Sequence, residues 1–189
     1  MEIRELLKKR HALLEGHFGL SSGKHSDVYV QCAKATEYPE DGAIIAARIK
    51  EKLDAAGIEV DVVVGPAMGG IIIGYELAKA LNVRSMFTER KDGEMCFRRG
   101  FAVQPGEKVI ICEDVVTTGK SSMETAKAIE AMGGEVVGIG AIVDRTKEQP
   151  PLPVYASIKI DANLFEPEQC PLCEKGIALD QPGSRFLKK

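Results

Sequence analysis

The segment Val109–Ser122 (VIICEDVVTTGKSS) constrains this chain more than any other. Val109–Cys112 is a short, unbroken apolar run, the pattern of a strand buried on both faces of a parallel sheet. Glu113 and Asp114 follow at once, and two ionisable side chains delivered to a buried sheet's edge have no packing role. A Thr-Thr-Gly-Lys-Ser turn then opens a helix over Ser121–Met132, which Gly133-Gly134 stops. The free N–H groups and dipole at such a helix start favour an anion. Gly119 permits close backbone approach, and Thr117, Thr118, Ser121 and Ser122 supply hydroxyls. Carboxylates beside an anion cradle suit a ligand that carries both a diol and a phosphate, as a ribose 5-phosphate does.

Gly119-Lys120-Ser121 also invites comparison with the nucleotide triphosphate loop. That motif needs a glycine five residues before its Gly-Lys glycine, and Asp114 stands there instead. An acidic group at that place repels a triphosphate.

The flanking sequence supplies the rest of an α/β pattern. Helical spacing covers Leu6–Leu14, Ala43–Ala56 and Gly70–Leu81. Short strands are expected at Val28–Val30, Asp61–Val64, Ser85–Thr88, Val136–Val143 and Val154–Ile160, with a Pro- and Gly-rich tail from Asn163 to Lys189. Strands alternating with helices of this length predict a mostly parallel sheet flanked by helices. Ligands in such sheets sit at the carboxyl ends of the strands. Three of these ends are chemically distinctive: Gly65-Pro66, Glu113-Asp114 and Asp144-Arg145.

Gly65–Gly70 (GPAMGG) reads either as a tight strand-to-helix turn or as a second anion loop. Glu89–Gly100 (ERKDGEMCFRRG) places Arg90, Lys91, Arg98 and Arg99 in one segment, either a solvated hairpin or a mobile lid over a leaving anion. Arg145 is either one half of a surface ion pair or a partner for a carboxylate-bearing ligand. Cys170-x-x-Cys173 has half the ligands of a structural zinc site. With the three histidines all near the N-terminus, two unliganded thiols are expected, and His17 and His25 receive no role.

From Ile110 to Ser121 the chain resembles the type I phosphoribosyltransferases, whose signature is an apolar strand, two acidic residues, two variable positions and Thr-Thr/Ala-Gly-x-Ser/Thr. The resemblance implies binding of phosphoribosyl pyrophosphate (PRPP) with Mg²⁺ carried by the substrate rather than by direct protein ligands. Glu113 and Asp114 would face the ribose hydroxyls, and Val115, Val116, Thr117, Thr118, Gly119, Lys120 and Ser121 the 5-phosphate. Ala67 and Met68 would lie in the pyrophosphate loop. Arg90 and Lys91 match the start of the basic lid that, in orotate phosphoribosyltransferases, enters the neighbouring subunit's site. This implies a homodimer, with Lys91 joining Glu113 and Asp114 as catalytic residues. Asp92, Gly93 and Glu94 depart from that lid's usual continuation.

Phe18–Tyr29 resembles the orotate enzymes' N-terminal segment, although Ser21 stands where a substrate-contacting Lys is common. Thr117 and Arg145 match the family's orotate contacts, and Cys170–Arg185 resembles the tail common among orotate enzymes. The implied fold is the type I phosphoribosyltransferase fold in one domain, with a core over about 41–159 and a small hood from about 1–40 and 160–189. The implied reaction is orotate plus PRPP giving orotidine 5′-monophosphate and pyrophosphate in pyrimidine synthesis. A purine phosphoribosyltransferase and a PRPP-sensing transcription regulator are the alternatives.

Charge and composition bear on the second alternative. The 189 residues carry a net charge of −3, whereas a nucleic-acid binder should be strongly basic, and no appended helix-turn-helix is apparent. The N-terminus has no secretory pattern, no apolar run reaches membrane-span length, and five cysteines do not form a disulfide framework. A cytoplasmic enzyme without membrane or nucleic-acid partners is expected, and 189 residues leave no room for a fused decarboxylase.

Overall fold

The computed structural model describes residues 2–20 and 22–182; Ser21 and the last three residues of the tail motif, Gly183–Arg185, lie outside the described residues. The chain begins with α1 (Ile3–Lys9), β1 (Leu13–Gly19), β2 (His25–Val30), a single turn α2 (Ala33–Thr36) and α3 (Pro39–Ala55). It continues with β3 (Val62–Pro66), α4 (Gly69–Leu81), β4 (Arg84–Lys91), β5 (Glu94–Phe97), β6 (Lys108–Val116) and α5 (Lys120–Glu130). Last come β7 (Glu135–Asp144), β8 (Val154–Lys159), β9 (Leu164–Phe165), a 3₁₀ turn at Pro167–Gln169 and α6 (Pro171–Glu174).

Two sheets result. Six strands lie in the order β5-β4-β3-β6-β7-β8, with every neighbouring pair parallel except β4–β5. Three strands, β1-β2-β9, form a separate antiparallel sheet from the two ends of the chain.

Alternation along the central strands explains how the helices pack. Val63 of β3 and Ile110 and Cys112 of β6 belong to a core with α3 and α4 residues such as Ile45, Ile49, Ile73 and Leu77. Val62, Val64, Val109 and Ile111 face the other way, toward Ala126 and Ile129 of α5. Both faces are buried, which is why the strands read as continuous apolar runs rather than alternating ones. At the strand ends that same alternation divides the acidic pair.

Three departures of the observed elements from the sequence expectations bear on the ends of the chain and the basic segment. The first helix ends at Lys9, and Leu13 and Leu14 start β1 instead, because Ala12 and Leu13 are buried in register with Val30. The third helix starts at Pro39, four residues early, with the proline at its first turn and Glu40 and Asp41 beside the positive end of the dipole. Asp41 is buried and accepts a hydrogen bond from Arg10 Nε at 2.5 Å, which ties the end of α1 to α3. Finally, Glu89–Gly100 folds largely as the β4–β5 hairpin, turning at Asp92-Gly93 where both residues have positive φ. None of the helices among the described residues is long and apolar enough to cross a membrane.

Candidate active site

The acidic pair lies inside β6 and not beyond its end. The strand continues past Cys112 to Val116 and stays paired with β7 as far as Val116↔Asp144. Its pairing with β3 stops at Val64↔Ile111; Gly65 and Pro66 pair only with β4, and the start of α4 lies against β6, where a Cβ on Gly70 would come within 2.3 Å of the Cys112 carbonyl oxygen. Glu113 and Asp114 therefore sit on a strand that is held on one edge and open on the other.

Strand alternation sends the two carboxylates to opposite faces. Glu113 follows Ile111 toward α5, where Ser122 Oγ lies 3.1 Å from Glu113 Oε1 and donates to it. Asp114 follows Cys112 toward α4, and a Cβ added at Gly69 would lie 2.5 Å from its carboxylate. Gly69 is thus required by the place of Asp114. Gly65 and Gly70 have a different reason: a Cβ at Gly65 would meet the Gly70 carbonyl oxygen at 2.3 Å, and one at Gly70 would meet that of Cys112 at 2.3 Å. These two glycines let the GPAMGG loop lie flat on β6.

Burial raises the Glu113 pKa from 4.5 to about 7; the Ser122 hydrogen bond opposes this and the neighbouring Asp114 charge adds to it. Burial also raises the Asp114 pKa, opposed by the Val115 N–H, which donates to Oδ1 at 2.8 Å. Neither carboxylate has a cationic partner within 4.0 Å among the described residues.

The turn that follows is an amide cradle. Gly119 takes φ of 72°, and α5 starts on the next residue. Among the described residues, the backbone N–H groups of Thr117, Thr118, Gly119 and Ser121 have no protein acceptor, while Lys120 N–H reaches Thr118 Oγ1 at 3.4 Å. The result is a polar cleft of about 270 Å³ lined by Pro66, Ala67, Gly69 and the run from Glu113 to Ser122. Met68, on the same loop, is 84% exposed.

Thr117 and Thr118 are shared with a second, larger cavity of about 880 Å³. Its lining includes Leu20, Arg145, Pro150, Lys159, Asp161 and Asn163. The Arg145 backbone N–H donates to Val116 O at 2.8 Å, so β6 itself positions this residue. Its guanidinium makes no ion pair within 4.0 Å among the described residues; burial lowers its pKa, and the nearby Asp27 charge opposes that. Asp27 is held by Asn163, whose N–H and side-chain amide donate at 2.9 and 2.6 Å. The ion-pair alternative for Arg145 is therefore not what the structure contains.

Arg90 and Lys91 are not brought into the cleft. Arg90 pairs with Glu124 on α5 and donates to Gly93 O at 2.5 Å. Arg99 forms a two-pronged contact with Glu89, both bonds at 3.0 Å, and Arg98 lies 3.9 Å from the same carboxylate. Lys91 is exposed at the end of β4.

Sequence reasoning missed Ser122 as a partner of Glu113, and it missed Lys159, Asp161 and Asn163 altogether. Alternation along β6 together with the helical position of Ser122 could have found the first. Nothing local marks the others. It also left His17 and His25 without a role, and the structure gathers both beside Cys170 and Cys173.

The comparisons with known proteins agree with this geometry. Residues 36–172 match the phosphoribosyl transferase domain. The chain is 47% identical over 200 residues to the orotate phosphoribosyltransferase of a Nitratiruptor species, with 98% of this chain and 99% of that one covered. Among solved structures it is similar to orotate phosphoribosyltransferase from Aeropyrum pernix, with a TM-score of 0.69, 24% identity, and 85% of this chain and 94% of that one covered. It is also similar to the Mycobacterium tuberculosis H37Rv orotate phosphoribosyltransferase in complex with PRPP, with a TM-score of 0.64, 23% identity, and 84% and 96% covered. The cleft, the fold and a near-full-length relative at 47% identity lead to one statement: this chain belongs to the phosphoribosyltransferase family, among the orotate phosphoribosyltransferases.

Proposed function

We propose that this chain transfers the 5-phosphoribosyl group of PRPP to orotate, giving orotidine 5′-monophosphate and pyrophosphate in pyrimidine biosynthesis. The observation that carries the reading is the joining of two unlike spaces at Thr117 and Thr118: a small polar cleft with a carboxylate pair and an amide cradle, and a larger cavity that holds an unpaired arginine. A phosphoribosyl group fits the first and a carboxylated pyrimidine the second.

The amides from Thr117 to Ser121 bind the 5-phosphate, with the hydroxyls of Thr117, Thr118 and Ser121 around it. Ionised Glu113 and Asp114 accept hydrogen bonds from the two ribose hydroxyls. They also favour the positive charge that develops on the sugar as the bond to pyrophosphate lengthens. The Ala67–Met68 loop holds the pyrophosphate end. Arg145 pairs with the orotate carboxylate and aims the ring nitrogen at the anomeric carbon, so positioning supplies much of the rate. Mg²⁺ entering with PRPP would neutralise pyrophosphate charge, and the unpaired carboxylates of Glu113 and Asp114 are hard oxygen groups that fit such an ion nearby.

Arg90 and Lys91 act on the leaving pyrophosphate from a neighbouring copy of the chain, in a homodimer with shared sites. That neither residue lines this chain's own cleft supports the arrangement. The five cysteines, none of them in a disulfide, support a reducing, cytoplasmic setting.

The test is pyrophosphate release from PRPP with orotate, adenine, hypoxanthine or xanthine as acceptor. Release with orotate alone is expected. Release with a purine and none with orotate overturns the assignment.

A further inference from the structure

We propose that His17, His25, Cys170 and Cys173 form a four-coordinate structural zinc site that clips the C-terminal segment onto the β1–β2 hairpin. His17 lies in β1 and His25 opens β2, while Cys170 precedes α6 and Cys173 lies within it. One ligand atom from each falls within 4.8 Å of all the others. His17 and Cys170 are separated by 153 residues, so this cluster is made by the fold and not by local sequence.

The spacing suits a tetrahedron. With Zn–N near 2.0–2.1 Å and Zn–S near 2.3 Å, its edges are about 3.3 Å between nitrogens and about 3.6 Å between nitrogen and sulfur. Three of the four nitrogen–sulfur distances are 3.5 Å from Cys170 Sγ to His17 Nε2, 3.7 Å from Cys173 Sγ to the same nitrogen, and 3.4 Å from Cys173 Sγ to His25 Nδ1, and the remaining pairs lie within 4.8 Å. His17 Nε2 and His25 Nδ1 are 2.9 Å apart, a few tenths of an ångström inside that edge.

The outer contacts also fit. His17 Nδ1 lies 2.8 Å from the Ile177 carbonyl oxygen, which can only accept. Nδ1 therefore carries the proton, and the lone pair on Nε2 points into the cluster, as metal-bound histidines require. Hydrogen bonding satisfies only one of the three groups that converge on that single lone pair: His25 Nδ1, Cys170 Sγ and Cys173 Sγ. A cation at the centre replaces those competing contacts with four bonds. Two thiolates and two imidazoles select a soft or borderline ion such as Zn²⁺ over Mg²⁺ or Ca²⁺. Four protein ligands leave no open position, which is the structural and not the catalytic form of a zinc site.

Its place in the fold gives the site a purpose. Beyond Cys173 the chain runs back along β1, where Gly19 N–H donates to Asp180 O and Asp180 N–H to His17 O, both at 2.8 Å. The next residue after Gly19, Leu20, lines the larger cavity. The clip thus fixes the tail and the hairpin tip on the side of that cavity.

The test is independent of the transferase assignment. The full chain, purified without a histidine tag and under reducing conditions, is expected to hold one zinc ion per chain by elemental analysis. After chelation, added Co²⁺ should give the visible bands of a tetrahedral ion and a thiolate charge-transfer band, and the apo form should melt at lower temperature than the reloaded one. Cys173→Ser alters an exposed residue and should leave zinc substoichiometric and abolish the cobalt spectrum. Equal zinc in wild type and Cys173→Ser, no uptake of Zn²⁺ or Co²⁺ by the wild-type chain, or a Cys170–Cys173 disulfide under those conditions overturns the proposal.

Discussion

The polar cleft and the three-stranded sheet of β1, β2 and β9 are assembled by opposite means. Ten of the thirteen residues lining the cleft run consecutively from Glu113 to Ser122, on one strand, one turn and one helix start. The β1-β2-β9 sheet joins residues from both ends of the chain, pairing His25 with Phe165 and Gly19 N–H with Asp180 O. The cleft stands on a strand that is buried on both faces and paired with β7 along its length. The smaller sheet has short strands, with only two residues in β9, and leans on side-chain links such as Asp27 to Asn163 and Lys24 to Glu166. The proposed ribosyl chemistry would then rest on one contiguous stretch of chain, and the proposed base recognition on a cavity lined by segments distant in sequence, from Leu20 to Leu164.

If that division holds, the largest effect should come from Gly69→Ala. The new methyl would stand 2.5 Å from the Asp114 carboxylate. A displacement of a reacting group by about 1 Å costs on the order of 100-fold in rate, so kcat/KM for PRPP should fall by roughly that factor. Thermal unfolding should show a loss of no more than about 1–3 kcal/mol, the usual cost of overpacking at one site, so the folded enzyme remains available for the kinetic measurement. Unchanged kinetics would mean that Asp114 does not touch the ribose.

A smaller effect, with a distinctive pH signature, is expected of Glu113→Gln. Losing a hydrogen bond to a charged acceptor costs about 1.5–3 kcal/mol, or roughly 10- to 100-fold in kcat/KM. In the wild type, kcat/KM should rise with pH through about 7 as Glu113 ionises. The substituted enzyme should lose that rise.

Stability moves the other way. The folded pKa of about 7 lies above the ordinary 4.5, so this group's stabilising contribution is complete below about 4.5 and is lost as pH rises through about 7. Glu113→Gln should therefore unfold at a higher temperature than wild type at pH 8, by at most about 3 kcal/mol, with the difference shrinking at pH 5. Equal pH dependence in both proteins would break the assignment of this buried carboxylate.

The same contrast explains what the sequence could reveal. Val109–Ser122 was legible because strand, carboxylates and cradle are contiguous, and each carries its own local signal. The parallel sheet was legible because β3, β6 and β7 are apolar on both faces. The extension of β6 to Val116 was not, since Glu113 and Asp114 look like the end of a buried strand until one knows that β3 leaves β6 after Val64 while β7 stays paired to Val116.

Strand β1 was hidden in a helical pattern, because Leu13 and Leu14 continue the spacing of Leu6 while their partners lie across the hairpin at Val30 and Tyr29. Arg145 was visible as a strand-end cation and as a match to the family's orotate contact, but the choice between ion pair and ligand partner was not, since Asp27, the nearby carboxylate, is bonded by Asn163 from the far end of the chain. His17 and His25 gave no signal, because what makes them notable is a pair of cysteines near the other end of the chain. Contacts between distant segments are fixed by packing, and no local pattern encodes them.

The division between a phosphoribosyl cleft and a base cavity is tested most directly by titrating PRPP and orotate separately into Arg145→Ala and wild type by calorimetry. Orotate should be titrated with the pyrophosphate site filled. Removing a charged partner of the base carboxylate should weaken orotate by about 30-fold while PRPP binding changes less than about twofold. Equal weakening of both ligands, or none of orotate, would contradict the account.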